Sequence, residues 1–107
     1  MTFAVYILAS RRNGTLYTGH TDDLYRRVRQ HRDHELKGFT DRYDVTRLVW
    51  FEDHETRESA FLRERRIKEW KRAWKLRLIE RTNPEWRDLF EDFERVVDPE
   101  GPLGWLA

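Results

Sequence analysis

Phe3-Ala-Val-Tyr-Ile-Leu-Ala-Ser-Arg-Arg-Asn-Gly-Thr-Leu-Tyr-Thr-Gly19 decides how this chain folds. Its first seven residues form an unbroken apolar run with β-branched and aromatic members, the pattern of a strand buried on both faces and central in its sheet. Asn13-Gly14 tolerates the positive φ of a type I′ turn, so the chain doubles back there and residues 15–19 supply the returning strand. When a hairpin loop holds two or four residues, the numbers of paired residues sum to an odd value. Tyr6 and Tyr17 then share one face of the sheet, and the turn alone brings two phenols to one place.

Beyond Gly19, Thr21-Asp22-Asp23 offers N-cap and first-turn residues for a helix over 24–32. Leu24 and Val28 form its apolar line, and Arg27 and His31 a second line three residues on, at the border of the buried face. Residues 33–44 contain Gly38 and no sustained period, and are expected to be loop. A third strand over 45–51 carries Leu48-Val-Trp-Phe51. Helices are expected over 55–70, 72–81 and 84–96, the last opened by Pro84. The class is therefore α+β, with a single domain over 1–97. The tail 98–107 is expected to be irregular, with Leu103, Trp105 and Leu106 able to dock on the body.

A chain of 107 residues fits one domain with a real core, and with no cysteine it can hold neither disulfides nor cysteine-ligated zinc. The four histidines, at 20, 31, 34 and 54, form no HExxH pattern. The apolar run 3–9 is too short to span a membrane and is followed by Arg11 and Arg12, so it reads as neither signal peptide nor anchor. A soluble, cytoplasmic protein is expected.

The net charge of +1 conceals a division along the chain. Residues 1–54 hold nine Lys/Arg against eight Asp/Glu, residues 55–83 ten against five, and residues 84–107 two against seven. The basic middle suits a phosphate backbone, and it equally suits a solvated helix face with i,i+4 ion pairs. Within it, Glu64 is anomalous: at about 100° per residue it falls about 40° from Ala60 and about 60° from Ile67, inside the apolar arc. A carboxylate there needs a metal, a salt bridge to Arg27 or another arginine, or a route for its stem to water. Trp70 and Trp74, set among Lys68, Lys71, Arg72, Lys75 and Arg77, either stack single-stranded bases or fill the seam between two helices.

Val5-Tyr6-Ile7-Leu8, Leu16-Tyr17-Thr18-Gly19, Arg26-Arg27-Val-Arg-Gln-His31 and Glu64-Arg-Arg-Ile67-Lys68 occur in that order, followed by Leu78-Ile-Glu-Arg-Thr-Asn83-Pro84-Glu-Trp-Arg-Asp-Leu89. Together they resemble the GIY-YIG endonuclease superfamily, and in particular its small single-domain bacterial members. The resemblance runs from about Phe3 to Phe90. Ala4 stands where the first motif has glycine and Thr18 where the second has isoleucine, and neither change removes a reactive group.

The resemblance implies a small three-stranded antiparallel sheet flanked by helices, and hydrolysis of nucleic acid phosphodiesters with one divalent metal, Mg²⁺ or Mn²⁺. It implies that Glu64 ligates the metal, that Arg27 holds the scissile phosphate, and that Tyr6, Tyr17 and His31 handle the nucleophile and its proton. Asn83, whose position before Pro84 also fits a helix N-cap, becomes a supporting site residue. A tyrosine, with an ordinary pKa near ~10, serves as base near neutrality only beside a cation. Tyr17 is preferred to Tyr6 for contact with the phosphate or nucleophile, because Gly19 and the start of a helix at Asp22 lie just beyond it.

Nucleic acid is the expected partner, DNA favoured over RNA, as single strands, ends or repair intermediates. Arg63, Arg65, Arg66, Lys68, Lys71 and Lys75 would contact its backbone, with Trp70 and Trp74 as stacking groups. A non-catalytic binding module on the same fold is the alternative. The acidic C-terminal segment could also fold over the basic helices and compete with nucleic acid.

Overall fold

β1 (Phe3–Ala9) is the middle strand of a three-stranded antiparallel sheet, with β2 (Leu16–Thr21) on one side and β3 (Arg47–His54) on the other. These elements come from a computed structural model that describes residues 2–97; the expected irregular tail over 98–107 lies outside the described residues. Ala4 to Ala9 are all buried, as an apolar run covered on both faces requires. Tyr6 pairs with Gly19 and Leu8 with Tyr17, so the two phenols do share a face.

The turn departs from the expected type I′ form. The Ser10 N–H donates to Thr15 O at 3.0 Å and the Gly14 N–H to Arg11 O at 2.9 Å, closing a loop of residues 11–14. Only Asn13 takes a positive φ, 58°. A Cβ on Gly14 would lie 2.4 Å from Ser10 Oγ, so that side chain would have to turn aside to admit one.

β3 carries a bulge. Trp50 faces Ile7 and Leu48 faces Leu8, leaving Val49 as an extra residue. Leu48 and Phe51 therefore pack in one layer, and Val49 and Trp50 in the other.

α1 (Leu24–Arg32) has the expected bounds, with Asp23 Oδ1 accepting from the Arg26 N–H at 3.1 Å as its cap. The segment expected to be loop contains a short helix, α2 (Phe39–Tyr43), ended by Asp44 in the left-handed region at φ 54°. One turn of helix is too short to show a period, which is why the sequence concealed it. α3 (Arg57–Glu69) is capped by Thr56, whose hydroxyl accepts from the Ser59 N–H at 3.1 Å, and α4 (Arg72–Thr82) follows almost at once.

The helix expected from Pro84 starts later, as α5 (Phe90–Val97). Trp86 adopts φ 59°, which no helix interior accepts, and its fully buried indole holds it there. Asp88 Oδ1 then accepts from the Phe90 N–H at 3.1 Å and from the Leu48 N–H at 3.2 Å, fixing where α5 begins.

Two layers cover the sheet. Ala60 and Ile67 of α3, Ile79 of α4 and Trp86 pack on Val5, Ile7 and Val49. Val28 of α1 and Phe90 of α5 pack with Tyr6, Leu8 and Leu48 on the other face. A fully buried isoleucine such as Ile67 contributes about 1.5–3 kcal/mol. Among the described residues no helix is long and apolar enough to cross a membrane.

Candidate active site

Tyr6 and Tyr17 rise from the hairpin toward His31 of α1, with ring centroids 6.3 Å apart and 6.0 and 5.4 Å from the imidazole. The Tyr6 hydroxyl lies 3.2 Å from His31 Nε2, and Thr40 Oγ1 of α2 lies 2.9 Å from His31 Nδ1. Gly19 makes this possible: a Cβ there would stand 2.6 Å from Tyr6 Oη, 2.7 Å from its Cζ and 3.1 Å from Tyr17 Cε2. The phenol of Tyr6 thus lies directly over the glycine with which it is paired.

Burial, followed by the positive charge of Arg27, pushes the His31 pKa down to about 4, so the imidazole is neutral near pH 7. Burial, and next the neighbouring Tyr17, push the Tyr6 phenol well above the usual tyrosine range. Arg27 opposes this by its charge and a hydrogen bond. Tyr6, at 1% exposure, is thereby a protonated, fixed group. A neutral imidazole accepts at one nitrogen and donates at the other. With Tyr6 donating to Nε2, Nδ1–H donates to Thr40, giving a continuous chain of hydrogen bonds. Tyr17 and Arg27 are only half-buried and stand at its open side.

Glu64 is buried on α3, as its place in the apolar arc requires, and is the one carboxylate among the buried described residues. Among the described residues no arginine pairs with it. Oε1 instead accepts from His20 Nδ1 at 2.9 Å and Oε2 pairs with Lys68 Nζ at 3.4 Å. Lys68 also lies 6.0 Å from the centre of the Tyr17 ring, so one ammonium links the carboxylate to the phenol. Next to it, Lys75 has its pKa lowered by burial, then by Arg72 and Lys68. Arg72 donates to Asn13 O at 2.8 Å and to Gly14 O at 2.6 Å, clasping the hairpin turn. A basic ridge thus runs from the turn to Glu64.

No group of three or more His, Cys, Asp or Glu side chains is placed to hold a metal among the described residues. The donor set is one carboxylate, which fits a hard cation that keeps most of its waters.

The remaining basic residues are less uniform than expected. Arg63 is engaged with Glu52, at 3.1 Å, and lies over Trp50 and Trp70. Arg65 lies over Phe61, while Arg66 and Lys71 are exposed. Trp70 packs against the core as a seam filler, whereas Trp74 is 50% exposed.

Asn83 is the exception among the expected site residues. It is the C-cap of α4, on the side of β3 away from β2, and its amide is fully engaged by backbone. Nδ2 donates to Val49 O at 3.1 Å and Arg87 O at 2.8 Å, and Oδ1 accepts from the Arg87 N–H at 3.0 Å. It is neither an N-cap nor a member of the tyrosine–histidine group.

His20 and Thr40 were not among the expected site residues, and Arg72 was expected only as one of the basic residues around Trp70 and Trp74. For His20 the signal was present, since strand alternation sets it on the face opposite Tyr17; which helix covers that face is a tertiary matter.

The GIY-YIG catalytic-domain family model matches residues 2–77. A UPF0213 protein of Haloquadratum walsbyi is 42% identical over 66 residues, covering 62% of this chain and 74% of that protein. A UPF0213 protein of Staphylococcus aureus is 39% identical over 75 residues, covering 70% and 90%. The solution structure of a UPF0213 protein from Bacillus halodurans superposes with a TM-score of 0.52 at 28% identity, covering 82% of this chain and 93% of that one. The matched stretch takes in all three strands and reaches into α4, and the same α+β arrangement recurs in a solved relative. This chain belongs to the GIY-YIG family.

Proposed function

We propose that the protein is a divalent-metal-dependent endonuclease that hydrolyses nucleic acid phosphodiesters, DNA in preference to RNA, in single strands, ends or repair intermediates. The observation that carries this reading is the meeting of Tyr17, Lys68 and the buried Glu64 at one rim, beside the Tyr6–His31–Thr40 chain.

In this reading Arg27 binds the scissile phosphate and balances the charge that grows on it. Tyr17, open to the substrate, orients the attacking water and, in its phenolate form, takes up the proton that the water loses. Tyr6, held protonated by burial, serves as a fixed donor, and His31 with Thr40 holds its orientation. Glu64 would hold Mg²⁺ or Mn²⁺, which when bound supplies Lewis-acid stabilisation of phosphate oxygen. Lys68, Lys75, Arg66 and Lys71 bind the backbone without reading sequence. Such chemistry fits a bacterial cytoplasmic setting.

The alternative, a non-catalytic nucleic-acid-binding module, draws on the pairing of Glu64 with His20 and Lys68, which leaves its charge balanced without a metal. Wild type, Glu64→Ala and Arg27→Ala are compared on labelled single-stranded DNA, duplex DNA and RNA with Mg²⁺, Mn²⁺ or chelator. Metal-dependent cleavage, lost in both folded variants, is the expected result. Binding without cleavage in every wild-type lane overturns it in favour of the module.

A further inference from the structure

The nuclease reading leaves unexplained a cleft of about 360 Å³ between α3 and α4, lined by Arg63, Trp70, Trp74, Arg77, Leu78 and Arg81. We propose that it is a separate subsite for one unpaired nucleotide, whose base stacks on Trp74 and whose phosphate meets Arg77 or Arg81.

The floor of the cleft is prearranged. Trp70 is packed against the core, and Arg63, fixed by Glu52, has its guanidinium 5.4 Å from the Trp70 ring centre and 5.9 Å from that of Trp50. Trp74 stands edge-on to Trp70, at 6.2 Å and 75°, with half of its surface in water. An indole left so exposed beside a rigid aromatic floor is an open stacking surface.

Charge selects the occupant. Arg77 and Arg81 follow Trp74 along α4, four residues apart and therefore neighbours on the helix surface. Both are exposed, neither forms an ion pair among the described residues, and no acid lines the cleft. An acidic peptide would satisfy the guanidinium groups and leave the indole bare, whereas a nucleotide offers a flat π-face and an anion together. A duplex keeps its base faces inside the stack, so the ligand is single-stranded. The volume is within the range of small-ligand sites.

The position suits a substrate that also reaches the catalytic rim. Glu64 and Arg63 are adjacent on α3 and face opposite flanks, one toward His20 and the other toward Glu52. The catalytic rim and the cleft thus share α3. The inference rests on the nuclease reading only for its ligand class.

The test uses full-length protein carrying Glu64→Ala, so that no cleavage occurs, and fluorescence anisotropy with labelled oligo-dT, oligo-U and a blunt duplex. Adding Trp74→Ala is expected to raise the Kd for oligo-dT about 5- to 150-fold, the range of one lost base stack, and to leave duplex affinity within about twofold. Trp74→Phe should restore most of the affinity, and Arg77→Ala/Arg81→Ala should reduce the salt dependence of oligo-dT binding. An equal loss for oligo-U assigns a stack common to both nucleic acids; a loss confined to oligo-dT assigns DNA. Unchanged single-strand affinity in Trp74→Ala, or equal losses for single strand and duplex, overturns the subsite. Because the readout is binding, a wild type that cleaves nothing refutes the nuclease reading alone.

Discussion

Gly19→Ala is expected to damage this protein more than any other glycine substitution in the hairpin. The added methyl would meet Tyr6 Cζ at 2.7 Å, whereas carbon contacts settle near ~3.5 Å, so the ring must retreat by about 0.8 Å. It has nowhere to go, being 1% exposed and packed in one cluster with Leu8, Val28 and Phe90. Overpacking of this kind costs about 1–3 kcal/mol, and the stretched bond to His31 adds about 1 kcal/mol. For a domain of this size, a loss of about 2–4 kcal/mol lowers Tm by roughly 10–30 °C. Because a displacement near 1 Å at a reacting centre costs about 10²-fold, cleavage measured below the new Tm should fall by a similar factor.

Gly14→Ala is the control. Its nearest neighbours, Ser10 Oγ and Arg11 Cγ, belong to side chains that can rotate, and the turn of Ser10 would give up its bond from the Thr15 N–H, so the cost should stay near about 1 kcal/mol. Thermal melts followed by circular dichroism, with cleavage assays at low temperature, read both effects. A Gly19→Ala protein that melts within two or three degrees (~2–3 °C) of wild type and cleaves normally would refute the wedged-phenol argument.

Tyr17→Phe should reduce cleavage by about 10²-fold or more with little change in Tm, while Tyr6→Phe should cost about 1 kcal/mol of stability and less activity; the reverse ranking in kcat would make Tyr6 the base. Asn83→Ala should lose about 2–4 kcal/mol by orphaning Val49 O and the Arg87 N–H, with cleavage retained by the folded fraction, and Asn83→Asp should be worse, because it turns acceptors toward two carbonyls; inactive but fully stable protein would contradict this. His31, with its pKa lowered to about 4, stays neutral when folded, whereas the unfolded chain takes up its proton below about 6.5. Stability is therefore lost as pH falls from about 6.5 toward 4, by about 3 kcal/mol in all, and chemical denaturation at pH 4.5 and 7 should show a smaller difference in His31→Gln than in wild type. Equal differences would show that His31 does not carry the effect.

The sequence disclosed those parts of the site that depend on local periodicity. An odd-sum register follows from a short hairpin, so the common face of Tyr6 and Tyr17 needed no tertiary knowledge. The same holds for Glu64, whose position on a 3.6-residue wheel forces it inward. What escaped depends on where chain segments distant in sequence meet. His20 and Glu64 are 44 residues apart and Arg72 and Asn13 59 apart. Residues 84–89 misled for a different reason: their helical pattern is overruled by the burial of one indole, which holds Trp86 in a backbone conformation that tryptophan rarely takes. Asn83, expected as a supporting site residue, has its polar atoms bonded to the backbone of β3 and the following turn.

The extra residue in β3 bears on how such a chain can diverge in length. Strands ordinarily reject insertions and deletions, because a slip of one residue exchanges the two faces, while exposed loop tips absorb them. Val49 is one such slip already accommodated, with Leu48 and Phe51 serving one layer and Val49 and Trp50 the other. Deleting it would leave Leu48, Trp50 and Phe51 in ordinary alternation on the faces they already serve, but would empty the place of a fully buried side chain in the layer beneath α3 and α4. It would also withdraw the carbonyl that anchors Asn83 and disturb the ring on which Arg63 rests. Lineages that lengthen or shorten this protein should therefore do so in the hairpin loop or between α1 and α2, and keep the residue count of β3 fixed.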